Sequence, residues 1–283
     1  MPKTAFSTVT CPQWTLEQVA DAAARHEFDG VELRTFGTGS ASFVCDPALT
    51  ASVKTRRLFR EAGVKIASLA TSVRFDKVIR PRVIGRVIGD PEASIRQAKL
   101  AIGLASQLEC PFVRVFGFEV PSNEKKSATM ALIVERLKGV ADHAHRTGVR
   151  VALENGGSFC SADDLNEILD RVRSPLIGVS WCVKSGLTVG EVGLPTSIAR
   201  RTFVLRLRDV EASGGLGGCA GDCECKDAVQ GLMRDGPDDA WVVYEWCNAW
   251  TGGNEMSVDE VLAKAANQLF AWGERREVAA PTA

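Results

Sequence analysis

The chain has 283 residues, enough for one large domain, and its 34 basic and 35 acidic side chains leave a net charge of −1. A surface that neutralises many phosphates carries a basic excess, so nucleic acid and an anionic membrane surface are excluded as main partners. With 45% hydrophobic and 24% charged residues the composition is that of an ordinary globular protein; no apolar run approaches the ~20 residues that cross a bilayer, and the opening MPKTAFSTVTCPQW lacks the apolar segment of a signal peptide.

Ala5–Thr10 reads as a first strand. A helix follows from Thr15, with Gln18 at the spacing of a capping box. Phe28–Thr35 is the second strand, and an amphipathic helix around Pro47–Ala62 leads into the third, Val64–Val73. Asp90 and Pro91 open a long helix to Gln107, with proline at the favoured first position. Pro111–Phe118 is strand four, and Lys125–Thr147 is a helix that Gly148 closes. Val149–Gly157 is strand five, and Ser161 starts the next helix. Leu176–Gly186, Thr202–Val210 and Ala240–Asn248 are strands six to eight, and a helix over Ser257–Arg276 follows. Val73–Asp90 and the Gly-rich stretch Gly214–Gly221 read as loops over one end of the molecule, and the tail EVAAPTA as frayed.

Strands that alternate with helices imply right-handed βαβ units and a parallel sheet. Eight such units close as one α/β domain over residues 1–283, a (β/α)8 TIM barrel. The rival, a doubly wound open sheet, lacks its signatures: no GxGxxG follows strand one and no GxxxxGK[ST] occurs. Most of the nine cysteines sit in apolar or helical contexts, as reduced thiols do, so the expected location is cytoplasmic.

In a TIM barrel the C-terminal ends of the strands carry function. Glu32 and Arg34 end strand two, Arg114 is on strand four, and Glu154 and Asn155 end strand five. Trp181, Cys182 and Lys184 are on strand six, Arg206, Arg208 and Asp209 on strand seven, Glu245 and Trp246 on strand eight. Glu154 directly follows VAL and Glu245 follows WVVY, and a charge at the end of a buried strand is costly unless paired. The two carboxylates therefore read either as structural ion pairs or as an acid/base or metal-ligating pair. Lys184 and Arg206 lie on strands between them and balance them, as a structural network or as a holder of an anionic substrate. His26, His143 and His145 all lie near helix ends, away from the strand C-termini. No GxSxG elbow occurs, and Cys182 reads as a buried thiol. Cys219, Cys223 and Cys225 are spaced C-x3-C-x-C, unlike a zinc knuckle, and read as part of a loop.

From VALENGG outward the chain resembles the sugar phosphate isomerase/epimerase superfamily, the xylose isomerase-like barrels. FDGVELR, VALENGGSFCSADDLNEIL, LIGVSWCVKSG, FVLRLRDV, GDCECKDAVQGL and VVYEW follow the order of that family's segments and cover nearly the whole chain. The resemblance implies a site where Glu, Asp, His and Glu hold Mn²⁺ or a similar ion, and the matching positions here are Glu154, Trp181, Arg206 and Glu245. The family's substrate-contacting His after the Asp becomes Lys184. A guanidinium is a permanent cation, and one placed among the ligands repels a divalent ion. The expectation is thus an isomerase or epimerase without a cofactor, with Mn²⁺ or another divalent ion at Glu154 and Glu245 as the alternative. Glu154 and Glu245 would move protons beside a carbonyl, while Arg206 and Lys184 stabilise the resulting oxyanion. Trp181 would form an apolar wall, and Glu32, Arg34, Arg114, Asn155, Arg208 and Trp246 would contact a small-molecule substrate. Two other readings stay open: a non-catalytic barrel that has lost its metal, and a metal enzyme that recruits Cys182, Asp209 or the cysteine-rich loop. The resemblance also implies a homodimer or homotetramer.

Overall fold

Eight short runs rich in Val, Leu, Ile and Phe become strands, because branched and aromatic side chains pack well on a pleated surface. They are β1 (Lys3–Ser7), β2 (Gly30–Arg34), β3 (Lys65–Arg74), β4 (Phe112–Phe116), β5 (Arg150–Glu154), β6 (Ile177–Cys182), β7 (Thr202–Asp209) and β8 (Trp241–Trp246). Each pairs in parallel with its sequence neighbours, and β1 also pairs with β8, so the sheet closes into a barrel in sequence order. This computed structural model describes residues 2–37, 42–76, 92–210, 222–247 and 256–273. Most of the loop expected after strand three, the Gly-rich stretch 214–221 and the tail 277–283 lie outside the described residues.

The helices form where the sequence signals them. Thr15 Oγ1 accepts from Gln18 N at 3.3 Å and Gln18 Oε1 accepts from Thr15 N at 2.8 Å, a complete capping box on the helix Leu16–Arg25. Gly148 closes Lys126–Thr147 at φ +73°, a left-handed conformation that glycine adopts without steric cost. Ser161 caps Ala162–Val172 by accepting from Asp164 N at 3.2 Å.

Side chains alternate between the two faces of each strand, and residues paired laterally across the sheet share a face. Trp181, Leu205 and Val242 form one such row, in the apolar layer between barrel and helices. Cys182, Arg206 and Val243 form the adjacent row, on the inner face. The N-terminal end of the barrel interior is filled by Ala5, Ala67, Ala152, Val204, Val243 and the large rings of Phe112, Phe203 and Trp241. Phe112 and Phe203 stack with centroids 5.4 Å apart, and the Arg150 guanidinium lies 4.4 and 4.6 Å from their ring centres. These rings need room: a Cβ on Gly178 would come within 2.4 Å of the Phe203 ring and 2.7 Å of Arg201 O. With that end closed by packing, every ionisable side chain further up the lumen faces the C-terminal mouth.

Strand six is shorter than the sequence pattern suggests. It stops at Cys182, and Val183–Leu187 turns into a short helix. The cause is Asn155, whose Oδ1 accepts from Cys182 N at 2.6 Å and whose Nδ2 donates to Cys182 O at 3.1 Å. That side chain occupies the backbone groups a longer ladder would use. The cysteine-rich stretch is also not simply loop: Cys223 and Cys225 fall in the helix Asp222–Asp235, and Cys225 is buried in the core; Cys219 lies outside the described residues.

Gly178→Ala tests the plug at the closed end. The Phe203 ring and the Arg201 carbonyl must both move, and the expected loss is ~1–3 kcal/mol of unfolding free energy in urea titration.

Candidate active site at the barrel mouth

Above the aromatic plug the lumen changes from apolar to ionic. Arg206, on β7, is fully buried at its centre. Its Nη1 donates to both oxygens of Glu32 from β2, at 2.7 and 2.6 Å, and its Nη2 donates to Glu245 Oε2 from β8. Its Nε lies 3.3 Å from Glu154 Oε2 of β5. Three carboxylates from three strands therefore surround one guanidinium. Two further arginines complete the network. Arg114 Nη1, from β4, donates to Glu154 Oε2 at 2.6 Å. Arg208 spans the two outer oxygens: its Nε donates to Glu245 Oε1 at 2.8 Å and its Nη2 to Glu154 Oε1 at 2.9 Å. Ser68 Oγ donates to Glu32 Oε2 at 2.7 Å.

Burial alone would push these carboxyls up, since a charged group loses its hydration there. The arginines reverse that. Arg206 and Arg208 hold Glu245 well below the usual carboxylate range, Arg206 and Arg114 hold Glu32 down, and Arg114, Arg206 and Arg208 hold Glu154 down. Conversely, burial disfavours the Arg206 cation, but Glu245, Glu32 and Glu154 lift it above its ordinary value. Arg34, at the end of β2, bonds to Ala70 O (3.1 Å), Thr35 O (3.4 Å) and Ser72 Oγ (2.5 Å) and to no carboxylate among the described residues. Burial, then the Arg114 charge, brings Arg34 down to about 10, so it is still a cation at neutral pH. Arg34, Arg114, Arg206 and Arg208 against Glu32, Glu154 and Glu245 leave one positive charge in excess.

The fold thus gathers Glu32, Arg34, Arg114, Glu154, Arg206, Arg208 and Glu245 at one end of the lumen. It does not bring the other candidates there. Lys184 is exposed on the short helix after β6, so it cannot balance the carboxylates. Trp181 faces the helices and donates from its indole N–H to Gly193 O at 2.8 Å; it is core rather than a wall of the site. Trp246 belongs to the same outer layer, as does its lateral partner on β7, Asp209, which accepts from Tyr244 Oη at 3.0 Å. Asn155 is committed to the backbone of β6 and to Cys160 O. On β6 the lumen-facing residues are instead Ser180, level with Glu154, and Cys182, level with Arg206.

Several contributors lack a sequence signal. Ser68 reaches Glu32 through a register shift between β2 and β3. A rim of aromatic rings also carries arginines: Arg34 lies 4.3 Å from the Phe36 ring centre, Arg114 4.7 Å from Phe116 and Arg74 4.6 Å from Phe118. Phe118 is held at φ +82°, costly for an aromatic residue. It fits against Gly157, where a Cβ would fall 2.3 Å from Phe118 O. The only hint in the sequence was the recurrence of Arg-x-Phe at the ends of strands two and four.

The site does not fit a divalent cation. Both oxygens of Glu154 and both of Glu245 already accept from guanidinium groups, and the cation position between them is filled by Arg206. Among the described residues no three His, Cys, Asp or Glu side chains converge as a metal-binding group. Among the described residues, the buried lumen groups without a hydrogen-bond partner are Arg114 Nε, Arg206 Nε and Ser180 Oγ. Two of these are obligate donors, which call for an oxygen acceptor rather than a metal ion.

A closed (β/α)8 barrel with ionic side chains gathered at its C-terminal mouth defines a TIM barrel with its site in the usual place for that architecture. The chain belongs to the xylose isomerase-like TIM barrel family, whose model matches residues 20–195. Among solved structures it is similar to D-allulose 3-epimerase from Methylomonas sp. in complex with D-allulose, at 15% identity and TM-score 0.71 over 95% of this chain and 96% of that one. It is similar also to an L-ribulose 3-epimerase, at 14% identity and TM-score 0.75 over 96% and 94% of the two chains. A third is the IOLI protein with a bound zinc atom, at 14% identity and TM-score 0.70 over 95% and 97%. At such identities the likeness is one of fold. No functionally curated protein matches the chain in sequence. Among the described residues no helix is long and apolar enough to cross a membrane.

The ionic lumen has a consequence for stability. Arg206→Met leaves three carboxylates buried without their shared cation, and the expected loss at neutral pH is ~3–5 kcal/mol by urea unfolding. Because the three carboxyls are depressed in the folded state, their contribution is complete above the ordinary glutamate value and is lost as pH falls below about 4.5. The gap between wild type and variant therefore narrows in acid.

Proposed function

We propose that this barrel is an isomerase or epimerase-type enzyme that acts on a small hydroxy-carbonyl compound, sugar-like and carrying an anionic group, without a divalent metal. The observation that carries the reading is the Arg206 guanidinium at the centre of Glu32, Glu154 and Glu245. In a metal-dependent arrangement a divalent ion polarises the carbonyl. Here preorganised guanidinium N–H donors do that electrostatic work, a contribution of ~3 kcal/mol per donor in dry sites. Arg114 Nε, which has no hydrogen-bond partner among the described residues, is the donor with capacity to spare; Arg206 Nε makes no hydrogen bond there but lies 3.3 Å from Glu154 Oε2. One carboxylate, Glu154 or Glu245, takes the proton from the carbon beside the carbonyl, and the electron pair moves onto the carbonyl oxygen. Return of the proton to the same carbon from the opposite face completes an epimerisation; transfer of the hydroxyl proton to the former carbonyl oxygen, with delivery of the carbon-bound proton to the former carbonyl carbon, completes an isomerisation. Arg34, which bonds to no carboxylate among the described residues, favours a substrate with a carboxylate or phosphoryl group.

A second reading, a barrel that binds such a compound without turning it over, is favoured by one observation. Every oxygen of Glu154 and Glu245 is already engaged, and a carboxylate held far below its ordinary range is a weak base.

Hydrogen exchange at carbon separates the two readings. Ketoses, their phosphates and hydroxy-keto acids are incubated with the protein in D₂O with EDTA present, and deuterium at the carbon beside the carbonyl is followed by NMR. The enzyme reading expects exchange that Glu154→Gln and Glu245→Gln each slow by ~10²–10⁴-fold. Unchanged exchange in both variants, or binding without any exchange, contradicts it.

A further inference from the structure

The three inner arginines are not equivalent. Arg206 is fully buried and Arg114 nearly so, whereas the Arg208 side chain keeps 27% of its surface exposed. Their targets differ in the same sense. Arg206 and Arg114 hold the inner Oε2 atoms of Glu154 and Glu245, and Arg208 is the arginine that, among the described residues, reaches the outer Oε1 of each. One solvent-reachable fork therefore covers both carboxylates on the side that faces the mouth. Cys182 on β6 lies close to the same fork, and Cys247 Sγ lies 3.4 Å from Glu245 Oε1.

We propose that Arg208 is a substrate-displaced arm: an oxyanion group entering the mouth takes over its guanidinium and in doing so uncovers Oε1 of Glu154 and of Glu245 together. Three observations support this. A guanidinium binds two oxygens in fixed geometry, and a carboxylate or phosphoryl group offers the same pair of acceptors that the two glutamates now supply, so the exchange replaces one charge-assisted pair by another. The group that must move is the partly exposed one, which loses least in leaving a buried partner. Arg34 at the end of β2 adds a further positive charge at this end of the barrel, which favours the approach of an anion. Arg114 and Arg206 stay in place and keep both carboxylates oriented through Oε2. Arg208 is in this account a positioning residue that couples recognition of the anionic group to exposure of the two carboxylates. The inference rests on the reading of the site given above, and it concerns binding before it concerns turnover.

The test is arginine side-chain NMR of the full-length protein. Arg208→Lys identifies the Arg208 Nε–H resonance by its disappearance. Sodium sulfate, a phosphoryl mimic, and sodium acetate, a carboxylate mimic, are then titrated separately into wild type. The expected result is that at least one anion shifts the Arg208 resonance saturably while the buried Arg206 and Arg114 resonances stay within a fraction of that shift; which anion does so names the substrate group. Arg208→Gln is expected to weaken that anion at least tenfold, and Arg208→Lys to retain more of it. Saturable anion binding with an unmoved Arg208 resonance, or no saturable binding of either anion, overturns the proposal. An Arg208 response without hydrogen exchange at carbon would sink the isomerase reading alone. Exchange with an unresponsive Arg208 would sink this inference alone.

Discussion

One guanidinium, that of Arg206, holds the mouth of this barrel together. It is fully buried and neutralises Glu32, Glu154 and Glu245, which arrive from three different strands. Removing several charges from water costs several kcal/mol per ion, and attraction repays it only when geometry and hydrogen bonding are good. The closed sheet meets that condition. Arg206 and Val243 are register partners on neighbouring strands, Glu245 lies two residues beyond, and Glu32 reaches in from β2 with its second oxygen tied to Ser68. Each charge thus depends on barrel closure, and the closed lumen in turn tolerates the carboxylates only because the cation is there.

The same arrangement decides what chemistry the mouth supports. Each oxygen of Glu154 and of Glu245 accepts from an arginine, the observation on which the proposed metal-free reading rests, and the polar atoms without a hydrogen-bond partner beside them, among the described residues, are chiefly N–H donors. Buried N–H donors stabilise negative charge on oxygen, and Phe36, Phe116 and Phe118 each carry an arginine against the ring. The sequence family and the closed sheet agree on the fold.

Much of this was legible before any coordinates. Eight β-rich runs separated by capped helices read directly as a barrel, and the Thr15 and Ser161 caps and the Gly148 terminator formed as their residue types require. Glu154, Glu245 and Arg206 stood out because a charge at the end of a buried strand needs a partner. Strand six was misread for a physical reason. A parallel strand covered on both faces is apolar throughout, so IGVSWC offers no alternation from which to tell inside from outside. A displacement of one residue exchanges the two faces, so the run does not tell that Trp181, a candidate through its match to the family's Asp ligand, faces the helices while Cys182 holds the lumen position. Lys184 was placed with it because the apolar run gives no sign that Asn155 ends the strand. The contact between Glu32 and Arg206, 174 residues apart, exists only through closure of the sheet.

The proposed metal-free chemistry turns on the Arg206 guanidinium lying between Glu154 and Glu245, and metal content tests it most directly. The protein is purified without chelator, incubated with excess Mn²⁺, Zn²⁺ or Co²⁺, desalted and analysed by inductively coupled plasma mass spectrometry beside Arg206→His. Wild type is predicted to retain well under one equivalent of any of these metals, and the histidine variant more. One equivalent held by wild type and released by Glu245→Gln would contradict the account.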